Sequence, residues 1–483
     1  MFMGIDIGTS GVKAIVLDEH GVLAGQGSAP LTVTRPQPLW SEQAPEDWWS
    51  ATTAAVLAIA PSLRAAVQAV GLAGQMHGAT LLGADDKPLR PGILWNDGRS
   101  FAECAALEEA VPQLREITGN LAMPGFTAPK LLWIRQHEPE VFRQVKRVLL
   151  PKDYVRLRMT GEAASDMSDS AGTLWLDVAR RRWSEEALAA CGLGIEAMPG
   201  LYEGSEITGR LRREVADLWG MDAVPVVAGG GDNAAGAAGV GVVRDGDGLL
   251  SLGTSGVVFI ASEKFRAYPA AAVHAFCHCL PGMWHQMSVN LNAASCVDWV
   301  ARLIGALGVQ EVFAQAESAG AGGAEMFLPY LSGERTPHND PHVRGAFLGL
   351  DHETDAPRLA QAVLEGVAFA LADGVAALRQ AGNRIERLSV IGGGAKSAYW
   401  GRIIAAVLDT SLVYLNGGEI GPALGAAQLA RAAHHGGNAA DFCAAPPTLR
   451  VIEPEPARRA RLTEKYQKFR AAYSGITAQD AII

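Results

Sequence analysis

Two aspartates and two copies of one glycine-rich word are the residues of this chain best suited to chemistry. Gly8-Thr9-Ser10-Gly11-Val12 returns letter for letter as Gly253-Thr254-Ser255-Gly256-Val257. Glycines around Thr and Ser in a two-strand turn let backbone N–H groups and hydroxyls converge on one concavity, which suits phosphate oxygens. One copy alone reads as an ordinary hairpin turn, where Gly and Ser are favoured. Two copies facing each other would hold one polyphosphate from both sides. Asp6 stands two residues ahead of the first copy, and Ser251 holds the same place before the second. One carboxylate can carry a divalent cation on the phosphates, whereas a second would repel the same anion. Asp6 lies between Ile5 and Ile7 in an apolar strand, where a carboxylate needs a hydrogen-bond or metal partner.

The second carboxylate is Asp232, in "GGGDNAAG". Three glycines before it and an Ala/Gly helix after it put the side chain at a strand end, beside a cleft. Phosphoryl transfer to a hydroxyl needs a base or orienter there; the plainer role is to cap the helix. "GLAGQMHGAT" ends a strand with Met76 and His77 between glycines, displaying an apolar contact and a polar ring. "ILWNDGRS" gathers Trp95, Asn96, Asp97 and Arg99, a set able to stack on and hydrogen-bond a polyol, or to form a charged turn. "VIGGGAKSAYW" follows a strand and opens a helix, so its N-terminus can take an anion or a ribose. It lacks the GxGxxG spacing of a dinucleotide fingerprint, and GxxxxGK[ST] is absent from the chain. "HAFCHC" has metal-ligand residue types without the spacing of a zinc site.

Positioning these residues takes a repeated grammar of elements. Phe2 to Pro30 predicts three strands separated by turn signals, followed by a helix through "APEDWWSATTAAVLAIA" and a strand through "VQAVGLAGQ". "DGLLSLGTSGVVFIAS" repeats the strand-turn-strand unit, with a long amphipathic helix through "PRLAQAVLEGVAFALADGVAALRQAG" and a strand-turn-helix from Arg387. The expectation is a doubled α/β domain, divided as residues 1–240 and 241–483. A length of 483 residues agrees with more than one domain at about 150 residues each. "AAPPTLRVIEPEPARRARL" reads as a connector into a final basic helix facing solvent or a subunit partner.

The chain carries 41 Lys and Arg against 51 Asp and Glu, a net charge of −10 without long runs of one sign. That excludes a phosphate-coating nucleic-acid binder and favours a small-molecule or protein partner. Six scattered cysteines read as free thiols of a reducing compartment. With no signal-like start and no uninterrupted apolar stretch of roughly 18 residues, a cytoplasmic protein outside the membrane is expected.

These motifs, in this order, resemble the FGGY family of sugar kinases over essentially the whole chain. "GFTAPKLLWIRQH", with Lys130 and Trp133, matches the family's first signature, and "GGEIGPALGAAQLA" (Gly417 to Ala430) is similar to its second. The blocks "RPQPLWSEQ", "LLPKDYVRLRMTGE", "ASDMSDSAGT" and "YLSGERTPHNDP" narrow the likeness to members that phosphorylate D-xylulose. The resemblance implies two RNase-H-like domains of the actin, hexokinase and heat-shock-chaperone ATPase class around a central cleft. It implies sugar held mainly by the first domain and ATP mainly by the second. By the same likeness Asp232 is the catalytic base, and Asp6 the carboxylate that organises Mg²⁺-ATP. Met76, His77 and Asn233 contact the sugar with Asp232. Thr9, Ser10 and Lys13 in the first turn and Gly253 and Thr254 in the second face phosphate, and Gly393 and Gly394 face the adenosine. The implied reaction is ATP-dependent phosphorylation of D-xylulose to its 5-phosphate, and a homodimer is compatible with this kind of enzyme. Open alternatives are a family member for another pentulose, a pentitol or glycerol, and an actin-like or chaperone-like switch ATPase. Met76-His77 speaks against glycerol, and Lys130 and Trp133 speak against the switch.

Overall fold

The computed structural model describes residues 1–320, 323–416 and 421–480. Gly417–Ile420, the start of the second signature, lie outside the described residues.

Strands β1 (Phe2–Ile7), β2 (Gly11–Leu17) and β3 (Leu23–Pro30) form an antiparallel meander. The chain crosses through helix Pro45–Leu57 and returns as β4 (Ala69–Gly74), parallel to β1. After β5 (Ile207–Arg210) comes β6 (Pro225–Val227), parallel to β4 and antiparallel to β5, so the order is β5-β6-β4-β1-β2-β3. β4 is buried along its whole length, as the "AVGLAG" run demands of a parallel strand covered on both faces.

The second sheet repeats this plan. β7 (Gly248–Leu252), β8 (Gly256–Ser262) and β10 (Trp284–Asn290) make the meander, with β9 (His274–Cys277) added beyond β10. β11 (Arg387–Ile391) and β12 (Ser411–Leu415) run parallel to β7, and β13 (Thr448–Ile452) closes the edge antiparallel to β12. Each strand from β7 to β13 except β9 therefore has a counterpart in the first sheet. The result is the two-domain actin/hexokinase-like α/β class.

Helix Ala356–Gln380 carries Pro357 in its first turn and is capped by the Asp355 side chain, which accepts from the Arg358 N–H. It is long and apolar enough to cross a bilayer, but it is buried in the second core. Helix Pro422–His435 lies instead on the first sheet. A Cβ at Gly4 or at Gly71 would stand 2.0 Å from the carbonyl oxygen of Ala423 or Ala426, so only glycine admits this approach.

The C-terminal stretch departs from the sequence reading. Its "connector" is β13, and the final helix Pro456–Asp480 docks on the second core through buried Leu462 and Phe469. The Tyr466 hydroxyl also donates to Asp373 at 2.6 Å. Flanking prolines hid the strand, and the density of basic residues hid the apolar stripe at Leu462, Tyr466, Phe469 and Tyr473.

Candidate active site

The first glycine turn is braced from beneath by a run of amides. Gln75, just past β4, accepts from the Thr9 hydroxyl at 3.0 Å and donates to Gln43 Oε1 at 2.9 Å. Gln43 in turn donates to the Thr9 carbonyl at 2.7 Å and accepts from Trp48 Nε1 at 2.8 Å. Trp95 Nε1 also donates to the Thr9 hydroxyl at 3.0 Å. The Thr9 hydroxyl is thus engaged within the protein, while Ser10 at the tip is exposed. Sequence reasoning missed Gln43 and Gln75, whose only signal was their polarity inside apolar runs.

Asp6 sits opposite Lys13 in the β1–β2 ladder and beside Ala73 of β4. Its Oδ1 is buried and receives no hydrogen bond from the described residues. Burial, helped by repulsion from Asp232 and opposed by Lys13, raises its pKa to about 7. A buried orphan carboxylate oxygen is what a cation shared with phosphate oxygens would complete. Among the described residues no group of three or more His, Cys, Asp or Glu could hold a metal by protein ligands alone. The donor set therefore suits a hard cation that arrives with its phosphates.

Asp232 opens helix Asp232–Gly239 directly after Gly230-Gly231, which pair with Ala73 and Gly74 of β4. That pairing brings Asp232 to the strand end that carries Met76 and His77. Its Oδ1 accepts from the N–H and the Nδ2 of Asn233 at 2.7 and 2.9 Å, and burial pushes its pKa up to about 6. Met76 is wedged against Gly172 and Gly231, where an added Cβ would come within 2.9 and 3.0 Å of its side chain.

His77 has a left-handed backbone, φ 68°, and three residues fix it. Lys130 Nζ donates to the His77 carbonyl at 2.8 Å and to that of Gly125 at 2.7 Å, and the Thr127 hydroxyl adds a third bond. The ring's Nδ1 lies 2.6 Å from the Gly172 carbonyl. A carbonyl can only accept, so Nδ1 carries the proton and Nε2 is left as an acceptor. Burial and the charge of Lys130 hold the His77 pKa down to about 3, so the ring is neutral. Lys130 is itself fully buried, and burial lowers its pKa to about 7. Its part is to set the shape of the His77 turn.

The second glycine turn is held differently. The Gly253 and Thr254 carbonyls accept from Ala294 and Ala293 N–H at 2.9 and 3.0 Å, at the start of helix Ala294–Leu303. Nearby, Gly392-Gly393-Gly394 follow β11 and lead into helix Ala398–Leu408, capped by Ser397. A Cβ on Gly393 would meet open space, whereas one on Gly394 would press on Trp400 and Leu252. Gly393 thus faces outward, and Gly394 locks the turn onto the end of β7.

The "ILWNDGRS" group divides. Arg99 pairs with Asp97 at 2.6 Å and with Glu42 at 2.8 Å and lies 3.6 Å over the Trp40 ring, so both charges serve the scaffold. Trp95 remains 45% exposed and available to a ligand. In "HAFCHC" the thiols of Cys277 and Cys279 donate to different carbonyls, Val178 and Ala234.

Comparison with known proteins adds to this geometry. Models of the FGGY family of carbohydrate kinases match residues 1–239 with the N-terminal domain and residues 248–434 with the C-terminal domain. The chain is 59% identical to a xylulose kinase of Escherichia coli (strain K12) over 436 residues, 90% of each chain. It is 55% identical to one from Klebsiella pneumoniae over 462 residues, 95% of this chain and 94% of that one. The crystal structure of a xylulose kinase from Rhodospirillum rubrum superposes with a TM-score of 0.92 at 29% identity, covering 99% of both chains.

Proposed function

The chain belongs to the FGGY family of carbohydrate kinases, and from that premise we propose that it transfers the γ-phosphoryl group of ATP to the 5-hydroxyl of D-xylulose. The observation that carries this reading is the pair of partly buried carboxylates, Asp6 and Asp232, on adjoining strand ends next to neutral His77. The xylulose kinases among its relatives supply the identity of the sugar.

His77 Nε2, an acceptor, takes a hydroxyl hydrogen of the sugar, and Met76 packs on its carbon skeleton. Asp232 takes the proton of the 5-hydroxyl through the oxygen that Asn233 leaves unbonded, which raises the nucleophilicity of that hydroxyl as attack begins. A pKa of about 6 leaves Asp232 ionised yet basic at neutral pH. Backbone N–H groups of the two turns face the phosphates, where fixed donors need no reorganisation as charge develops. Asp6 would hold magnesium through its orphan oxygen. When bound, that ion supplies positive charge to the transferring phosphoryl group. Closure of the cleft on the sugar excludes water, which would otherwise take the phosphoryl group.

ADP release measured with Mg-ATP against a panel of pentuloses, pentitols and glycerol tests this reading. D-Xylulose should give the highest kcat/KM, and sugar-independent release would overturn the proposal. Asp232→Ala should lose more than about 10³-fold in kcat while ATP binding is retained. A variant with a tenth of wild-type turnover would remove Asp232 from its role.

A further inference from the structure

Arg335, from the segment "SGERTPHNDP", lies within electrostatic reach of the His77 ring and is unused by the mechanism above. Its backbone is fixed from both sides. Thr336 N–H donates to the Val289 carbonyl at 3.0 Å, and its hydroxyl donates to the Ala272 carbonyl at 2.9 Å. Glu334 and Asp340 exchange two backbone hydrogen bonds of 2.8 Å each.

The side chain points towards the first domain. Arg335 Nη1 lies 3.4 Å from His274 Nε2, and His274 Nδ1 lies 3.3 Å from Asn120 Oδ1. Asn120 Oδ1 also accepts from the Ala275 N–H while Nδ2 donates to two carbonyls, so its amide orientation is set. His274 Nδ1 is then the donor, and Nε2 accepts from Arg335. Phe126 meets the His274 ring edge-on at 5.5 Å and the His77 ring edge-on at 4.8 Å. The guanidinium is therefore linked to His77 through the His274 and Phe126 rings, and its charge contributes to keeping both histidines neutral.

Among the described residues this guanidinium has no ion pair. The neighbouring Glu334 spends Oε1 on the N–H groups of Leu291 and Arg335 at 2.8 Å each, and its carboxylate acts on the guanidinium by charge without an ion pair. A partly buried guanidinium with one bond to an imidazole has donors to spare, and donors left without acceptors there are costly. Of the other polar atoms offered to the sugar, His77 Nε2 and the Asp232 carboxylate are acceptors, and the Asn233 amide donor is engaged by Asp232. The two acceptors suit hydroxyls. A ketose has one oxygen that cannot donate, its carbonyl, and neither acceptor can satisfy it.

We propose that Arg335 donates to the C2 carbonyl oxygen of the bound ketose and so selects the ketose over the corresponding polyol. The assignment rests on the sugar-kinase reading and names the group that reads the substrate's oxidation state. A polyol presents a hydroxyl at C2, which needs an acceptor for its own hydrogen and meets a donor-only fork instead.

The test compares D-xylulose with xylitol, which differs from it at C2 only. For Arg335→Gln, kcat/KM for D-xylulose should fall about 10- to 100-fold, the loss of one charged hydrogen bond, while the dissociation constant of xylitol changes less than about threefold. Arg335→Lys keeps a charged donor without the planar fork and should restore part of the preference. It also supplies the same ratio if the Gln variant does not fold. Equal loss on both sugars in a folded variant overturns the role of Arg335 and leaves the kinase reading intact. Absence of D-xylulose-dependent ADP release in the wild-type enzyme defeats the kinase reading itself.

Discussion

The two copies of Gly-Thr-Ser-Gly-Val make different hairpins. In the first, Ile7 pairs with Val12, residues 8–11 form the loop, and Asp6 faces Lys13 across the ladder. In the second, Leu252 pairs with Gly256, residues 253–255 form the loop, and Ser251 faces Val257. The register has slipped by one residue between identical words. Side chains alternate faces along a strand, so a slip of one exchanges which residues point each way. Val12 is in the core, whereas its counterpart Val257 is not, and Val258, the counterpart of Lys13, is buried in the second core. The first turn thus presents a carboxylate opposite an ammonium, and the second a hydroxyl opposite an apolar side chain. A repeated turn became a charged half and a neutral half through two changes, Asp to Ser and the register.

The contrast can be broken most directly at the charge. Asp6→Asn should lower kcat about 10³-fold, as removal of a fixed electrostatic group does, while Ser251→Ala should stay within about threefold. Steady-state kinetics of the pair decides it, and similar losses in both would abolish the asymmetry. Making the halves alike is the next largest perturbation: Ser251→Asp should weaken ATP binding about 10- to 100-fold by repulsion of the phosphates, with D-xylulose affinity unchanged in calorimetric titration.

The pH profile sharpens the same distinction. Burial raises the Asp232 pKa to about 6, so protonation removes the base as pH falls through that value. Plotted as kcat/KM, activity should begin to fall below about pH 7 as Asp6 protonates and fall more steeply below about 6, where Asp232 follows. Ser251→Ala should leave this limb in place, because the titrating groups belong to the first half. The smallest effect is on stability. Thr9→Val breaks hydrogen bonds to Gln75 and Trp95 and should cost about 1–2 kcal/mol in denaturant unfolding. Thr254→Val, at an exposed tip, should cost less than about 0.5 kcal/mol.

The strand-turn-strand units, the crossover helices and the placement of Asp6, Asp232, Met76 and His77 could be read from the sequence. Each rests on local chemistry: β-branched runs, glycine at forced turns, carboxylates in apolar strands. Lys130 was recognised by its motif, but its bond to the His77 carbonyl joins residues distant in sequence. Asp97 and Arg99 suited a polyol in the linear sequence, until Glu42 and Trp40 arrived from another segment to occupy them. The terminal strand escaped notice, and the final helix was expected to face solvent or a subunit partner, because partner strand β12 and the second core, not their own composition, give them their places.

By itself the sequence determined the family, the doubled α/β plan and the residue types that phosphoryl transfer needs, because those depend on local pattern and on motifs kept whole. Only the tertiary structure decided which way the two identical turns face. Their carbonyls are captured by different partners, Gln43 in the first and the start of helix Ala294–Leu303 in the second. Hairpin register follows from such contacts as well as from the five residues of the turn, and with a side-chain period of two a single step of register exchanges the exposed and buried sets.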